Sequence, residues 1–318
     1  MPDRLGPPLE TPVFARLALI GLGLIGSSLA RVARQKNLAG HITAIDASDA
    51  VRARAIELGL VDHVTGDVVE GVRDADAVIL CVPVGVCGQV AKAMRSGLKR
   101  GAIISDVGSV KGSIVSQMAP HLPETVHFVP AHPVAGTEQS GPDAGFPTLF
   151  LNRWCILTPP EGQNADAIAT IRAFWEGAGS MVEEMSPAHH DLVLAITSHL
   201  PHLIAYNIVG TAADLEAVTQ SEVIKFSAGG FRDFTRIAAS DPTMWRDVFL
   251  NNKEAVLEML GRFTEDLSSL QRAIRYSDGE ALFNHFTRTR AIRRSIIEIG
   301  QDSSAPDFGR QPKTDSPQ

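Results

Sequence analysis

The stretch Ala131-His132-Pro133-Val134-Ala135-Gly136-Thr137-Glu138 brings an imidazole, a glycine turn and a carboxylate together in one short run. Imidazole is the side chain that takes up and returns protons near neutral pH. Pro133 fixes the chain as it leaves the sheet, which favours a rigid, site-facing side chain at His132 where a strand should end. Far upstream stands Gly21-Leu22-Gly23-Leu24-Ile25-Gly26, the glycine spacing of a dinucleotide-binding turn. A proton-handling group and a cofactor turn on one sheet edge point to redox chemistry on a small molecule.

The elements around the glycines fit that use. Leu17-Ala18-Leu19-Ile20 reads as a buried parallel strand, and an amphipathic helix continues from Ser27 to Arg34. Gly21 is expected to make the tight turn, Gly23 to let the pyrophosphate approach, and Gly26 to pack helix on strand. Leu24 and Ile25 open the helix whose N-terminal N–H groups face the phosphates. The next strand, Ile42 to Ile45, ends at Asp46, placed to accept hydrogen bonds from the adenosine ribose and to repel a 2′-phosphate. NAD is therefore expected over NADP. A turn-opening role is the plainer reading of Asp46, since Asp is a common turn residue.

Short apolar runs recur up to about Glu184: Ala77–Val82, Ala102–Ser105, His127–Val129, Trp154–Leu157 and Met181–Val182. Their alternation with helical segments predicts a doubly wound, mostly parallel sheet of Rossmann type. Past Ser186-Pro187, an N-cap with a first-turn proline, strand signals stop. Three long apolar-rich segments follow, roughly His189–Val209, Pro242–Ile274 and Gly279–Ile299. The middle one would be about 45 Å long if continuous, and its apolar positions need a second surface, so this all-α half is expected to form a homodimer. The expected organisation is a flexible tail over 1–14, a dinucleotide-binding domain over 15–186, a helical dimerisation and substrate domain over 187–300, and a disordered tail over 301–318.

Composition bounds the partners. The 318 residues are 44% hydrophobic and carry a formal net charge of −7 with both signs dispersed, which argues against nucleic acid. No apolar run is read as a membrane span, and the first ten residues lack the core of a signal peptide. Cys81, Cys87 and Cys155 have neither metal spacing nor a disulfide framework. The expected compartment is the cytoplasm.

Further candidates sit at strand ends. The strand Ala102–Ser105 runs into Asp106-Val107-Gly108-Ser109-Val110-Lys111, where the Ser109 hydroxyl can face both the nicotinamide carboxamide and a catalytic imidazole. The same hydroxyl would cap the helix that begins near Lys111. His199 and His202 are three apart, and His189, His190 and Asp191 lie upstream, which is spacing a metal site can use. Pro201 distorts that turn and no second carboxylate pair converges, so no metal is expected.

Together, GLGLIGSSLA, DVGSVK, AHPVAGTEQSG, TSHLPH and GGFRDFTRIAASDPTMWRD resemble the prephenate/arogenate (cyclohexadienyl) dehydrogenase family of tyrosine biosynthesis, over roughly Ala15 to Gly300. The resemblance implies oxidative decarboxylation of prephenate to 4-hydroxyphenylpyruvate, or of arogenate to tyrosine, with NAD or NADP taking the hydride. It implies that His132 accepts a hydrogen bond from the ring hydroxyl and that Ser109 positions the histidine and the nicotinamide. By the same matching, Arg236 pairs with a substrate carboxylate, and His202, with Ser198 beside it, contacts substrate. Glu138 would hold Arg236 or gate the pocket; Trp245, Lys111 and Arg232 are weaker candidates. Two other functions compete. One is a β-hydroxyacid dehydrogenase of similar layout, for which Lys225 and Lys253 stand in no matching motif. The other is an NAD-binding regulatory protein without turnover, which would need no proton acceptor.

Overall fold

The computed structural model describes residues 5–137, 139–219 and 225–298. Of these, the residues up to Met259 pack as one compact unit and those from Leu260 as a second.

The first unit is built on a six-stranded sheet. Its strands are β1 (Phe14–Ile20), β2 (Ala39–Ile45), β3 (His63–Thr65), β4 (Ala77–Leu80), β5 (Ile103–Asp106) and β6 (His127–Phe128). They lie in the order β3-β2-β1-β4-β5-β6 and every pair is parallel. Helices α1 (Leu24–Gln35), α2 (Asp49–Glu57), α3 (Val68–Val72), α4 (Cys87–Met94) and α5 (Lys111–Met118) form the crossovers. Both faces of such a sheet are covered, which is why the runs Leu17–Ile20 and Ala77–Leu80 are continuously apolar rather than alternating. Accordingly Leu17, Leu19 and Ile79 join one buried cluster, and Ala18, Val78, Leu80 and Ile104 join another on the opposite face. The strand order reverses between β1 and β4, and ligands of doubly wound folds sit at such a crevice.

The later strands depart from the expected single sheet. β7 (Ala131–Pro133), β8 (Trp154–Leu157) and β9 (Met181–Glu184) make a separate three-stranded sheet, with β7 antiparallel to β8 and β8 parallel to β9. Pro130 has no N–H to extend pairing with β5, and its carbonyl instead accepts from the Thr158 N–H at 2.9 Å. The chain changes partner there, so His132 lies in the middle of β7, opposite Ile156, rather than at the end of β6. α6 (Ala165–Gly177) links β8 to β9.

The helices that follow are α7 (Pro187–Leu194), α8 (Leu200–Thr219), α9 (Gly229–Thr235), α10 (Pro242–Asn251), α11 (Lys253–Arg275) and α12 (Gly279–Glu298). The long middle segment is therefore two helices. Asn252 breaks it, at φ −112° and ψ 34°, because its side-chain amide donates to the Asp191 carbonyl at 2.9 Å. Pro187–Leu215 is, against the sequence expectation, long and apolar enough to cross a membrane by length and composition alone. It nonetheless carries His190, Asp191 and His199 buried against protein partners. The start of the chain also differs from expectation. β1 begins at Phe14, and ahead of it the Leu9 N–H donates to the Lys36 carbonyl at 2.9 Å while the Lys36 ammonium donates to the Gly6 carbonyl at 2.7 Å. In the second unit the rest of α11 and α12 are joined through Ser277, at φ 56°. They expose Leu267, Ile274, Phe283, Phe286 and Ile292.

At the turn after β1, Gly21 has φ 94°, and a Cβ on Gly26 would stand 2.0 Å from the Gly21 carbonyl oxygen. Nothing there can yield but backbone. Gly26→Ala should cost about 1–3 kcal/mol of stability, the usual range for overpacking, read from urea unfolding. An unchanged midpoint would contradict so close a contact between helix and turn.

Candidate active site

His132 is almost fully buried, and its Nδ1 lies 2.8 Å from His190 Nε2. His190, on the first turns of α7, places its Nδ1 2.8 Å from Asp191 Oδ1. Asp191 in turn accepts the Lys111 N–H at 2.7 Å on one oxygen and the Gly112 N–H at 2.8 Å on the other. The cap of α5 is therefore Asp191, delivered from α7, and not the Ser109 side chain. A carboxylate at a helix N-terminus is favoured both by the free N–H groups and by the helix dipole.

Under this group sits a fully buried ion pair. Lys111 Nζ donates to Asp106 Oδ2 at 2.5 Å and to the Ala131 carbonyl at 2.7 Å. Far from being a solvated helix-start charge, Lys111 ties the end of β5 to β7 one residue before His132. Asp106 also accepts the Gly108 N–H at 2.8 Å, which shapes the turn that carries Ser109. Burial pushes the Asp106 carboxyl up while Lys111 pulls it down.

A second group continues from the first. Asn252 Nδ2 lies 3.1 Å from His199 Nδ1, and the Ser109 backbone approaches the same ring. His199 meets Trp245 edge-on at 6.2 Å, and Trp245 stacks on His202 with ring centroids 3.6 Å apart. His202 Nδ1 is 2.9 Å from the Ser198 carbonyl, a bond in which the imidazole N–H donates. Residues Ala195–His199 form a π-helical turn. Pro201 has no N–H for the Thr197 carbonyl, and inserting such a turn is one way a helix absorbs that loss. The Trp245 indole nitrogen is buried without an acceptor among the described residues. Arg236 stands on the turn after α9, close enough for its charge to disfavour a proton on His202. The Tyr206 hydroxyl donates to the Ser240 carbonyl at 2.7 Å and holds that turn to α8.

The glycine turn after β1 and Asp46 at the end of β2 lie side by side, while Ser109 stands beyond β5. α1 has no side-chain cap, and a Cβ on Gly23 would meet nothing within 4 Å. The start of this helix is thus open to a ligand. Asp46 Oδ2 accepts the Leu22 N–H at 3.0 Å, and Oδ1 accepts the Ser48 N–H at 2.9 Å. It braces the glycine turn in addition to standing at the end of β2. Glu138 lies outside the described residues, as does the tail 301–318.

Of the expected residues, His132, His202, Ser198, Trp245, Arg236 and the Ser109 backbone belong to one linked cluster. Sequence reasoning missed His190 and Asp191 as partners of His132, and Asp106 and Asn252 altogether. The only signal was the His-Asp pair in the first turn of the helix after Ser186-Pro187, whose spacing suits a metal as readily.

The chain matches the family model described as prephenate dehydrogenase, nucleotide-binding domain, over residues 29–184, and the one described as prephenate dehydrogenase, dimerization domain, over residues 186–288. It is 46% identical over 284 residues to the cyclohexadienyl dehydrogenase of Zymomonas mobilis, covering 89% of this chain and 97% of that one. It is 34% identical to the prephenate dehydrogenase of Bacillus subtilis, covering 92% and 78%. Among solved structures, the prephenate dehydrogenase of A. aeolicus in complex with hydroxyphenyl propionate and NAD+ superimposes with a TM-score of 0.83 at 33% identity, covering 91% of this chain and 99% of that one.

Burial pushes His132, His190 and His199 below the ordinary imidazole value, His199 to about 4. Burial disfavours a proton on these rings in the folded protein, whereas the unfolded chain takes up protons below about pH 6.5. Stability should therefore be full above about pH 6.5 and fall toward pH 4, by up to about 1.4 kcal/mol per pH unit for each such ring. Urea unfolding at about pH 7 and about pH 5 measures this, and a flat profile would rule out neutral burial.

Proposed function

The chain belongs to the prephenate dehydrogenase family, and from that premise we propose that it catalyses the NAD-dependent oxidative decarboxylation of a cyclohexadienyl acid, prephenate or arogenate. The single observation that carries this reading is a buried imidazole at His132, backed by the two further side chains of His190 and Asp191.

The open start of α1 suits a dinucleotide. Gly21, Gly23, Leu24, Ile25 and Gly26 would hold the pyrophosphate, and Asp46 the adenosine ribose, favouring NAD over NADP. When bound, NAD supplies the hydride acceptor. Ring carbon C4 of the substrate gives up the hydride, and the quaternary ring carbon releases carbon dioxide as the ring aromatises. His132 accepts a hydrogen bond from the C4 hydroxyl, takes on part of its proton as the hydride leaves, and returns it to the phenol oxygen. General acid–base help of this kind contributes about 10²–10⁴-fold in rate.

The substrate carries negative charge and the chain is acidic overall, so binding needs local positive charge. Arg236 supplies it next to His202 and Trp245, whose stacked rings make a flat wall for a cyclohexadienyl ring. The indole N–H of Trp245 offers a further donor. Ser198 positions His202 through its carbonyl, and Ser109 is read as the hydroxyl beside the nicotinamide and the imidazoles. Glu138 is read as the partner or gate of Arg236.

We place the boundary between the cofactor domain, 15–186, and the helical domain, 187–300, at Ser186-Pro187, which the abutting matches at 184 and 186 support. The helical half carries the dimer contact. Exposed Ile196, Ile208, Val209 and Leu215 supply apolar surface for a second copy. The cytoplasm is the proposed compartment, and the free thiols of Cys81, Cys87 and Cys155 suit a reducing one.

The direct test is NADH formation with prephenate and with arogenate, each with NAD and with NADP. Activity on either acid supports the reading; NAD binding without turnover on both overturns it in favour of a regulatory protein. His132→Asn should retain NAD affinity and lose about 10²–10⁴-fold in kcat; near-normal turnover would remove His132 from the chemistry. Arg236→Gln should raise the KM for the acid by about 10-fold or more, matching a lost charge-assisted hydrogen bond. A fall in kcat with unchanged KM would contradict that role.

A further inference from the structure

We propose that Asp191 and His190 fix the tautomer of His132, so that the nitrogen it offers to the substrate hydroxyl is an unprotonated Nε2. The inference rests on the reading of His132 as the group that accepts the hydroxyl proton. His190 and Asp191 are positioning residues that act through it.

The argument starts at the far end. Asp191 accepts a backbone N–H on each of its oxygens, from Lys111 and Gly112 at the start of α5. Both oxygens are thus engaged as acceptors, and Asp191 acts as an acceptor toward His190 as well. The bond to His190 Nδ1, at 2.8 Å, is then donated by His190. A neutral His190 with its proton on Nδ1 has a lone pair on Nε2. That lone pair faces His132 Nδ1 at 2.8 Å. Two lone pairs cannot meet at that distance, so His132 donates from Nδ1. Its Nε2 remains as the acceptor and makes no hydrogen bond to a described residue.

The scheme requires both rings to be neutral at rest. Burial is the main cause that keeps them so. The buried Lys111 ammonium opposes a proton on either ring, His199 adds to this at His132, and Asp191 and Asp106 favour a proton on His190. As His132 takes up positive charge during the reaction, its Nδ1–H bond to His190 strengthens, and that of His190 to Asp191 with it. No proton need leave His132 for His190. The carboxylate lowers the cost of the charge through the intervening ring, as ligand-orienting carboxylates do behind a histidine.

The same geometry would arise if His190 only filled space, and two measurements separate the cases. The first uses the unaltered protein labelled with 15N-histidine, with resonances assigned by their loss in His132→Asn and His190→Gln. Ring nitrogen shifts should report His132 and His190 both protonated on Nδ1 and bare on Nε2. A proton on His132 Nε2 would overturn the proposal, whatever the turnover. The second is kinetic. His190→Leu removes the acceptor and should lower kcat by about 10–100-fold, the usual cost of losing such a supporting partner, with the KM for NAD and for the acid little changed. His190→Gln returns an acceptor oxygen near the Nε2 position and should recover most of the rate. Equal losses in the two variants, or KM for NAD rising in step with the fall in kcat, would mean that His190 serves packing alone. If instead His132→Asn turns over normally, the reading of His132 fails, while the spectrum of the unaltered protein still decides the tautomer.

Discussion

A carboxylate buried in protein must be matched by donors or it destabilises the fold by several kcal/mol. Asp191 is matched by two N–H groups at the start of α5 and by the His190 ring, and its own carbonyl is held by the Asn252 amide. Those bonds join the crossover after β5, the first helix beyond the sheets and the junction between α10 and α11. Removing the carboxylate would leave the α5 N-terminus uncapped and His190 without an acceptor. These bonds help hold α7 to α10 in the same compact unit as the sheet.

The electrostatics of the cluster follow from its burial. In a region of low dielectric a charge is tolerated only with its counter-charge at hand. Lys111 and Asp106 are that pair, both fully buried, and they pin β7 to the end of β5. Burial pushes the imidazoles around them toward the neutral form, with the Asp191 carboxylate opposing it at His190. A neutral imidazole is the form that can accept a proton, so the burial that orders the site also prepares it for the chemistry proposed.

The second half of the site depends on an imperfection in a helix. Pro201 removes an N–H, the chain widens into a π turn over Ala195–His199, and His199 and His202 take different partners although they are three residues apart. His199 goes to Asn252 in the buried cluster, while His202 stacks on Trp245 beside Arg236. One short segment thereby links the proposed base to the proposed anion site.

The glycine turn, the order of apolar runs and the change to helices after Ser186 are local signals, and they are enough to identify the parallel sheet, while the family rests on the five motifs from GLGLIGSSLA to GGFRDFTRIAASDPTMWRD. The spacing of Gly21, Gly23 and Gly26 is legible because each glycine answers a backbone constraint within a few residues of itself. His132, His202 and Arg236 are legible only through their motifs, since a lone histidine or arginine carries no local mark of use. Partner choice is not legible. That Pro130 turns the chain into a second sheet, that Asn252 splits one expected helix, and that Lys111 is buried all follow from contacts between residues far apart in sequence. Asp191 is the clearest case: its place beside His190 suits a metal, and only the approach of α5 from 79 residues away gives the carboxylate its donors. The sequence by itself determined the sheet, the cofactor turn and the candidate groups, because those depend on near neighbours. The tertiary structure alone decided which of these groups are neutral and which nitrogen each one presents, because that depends on burial and on donors brought from elsewhere in the chain.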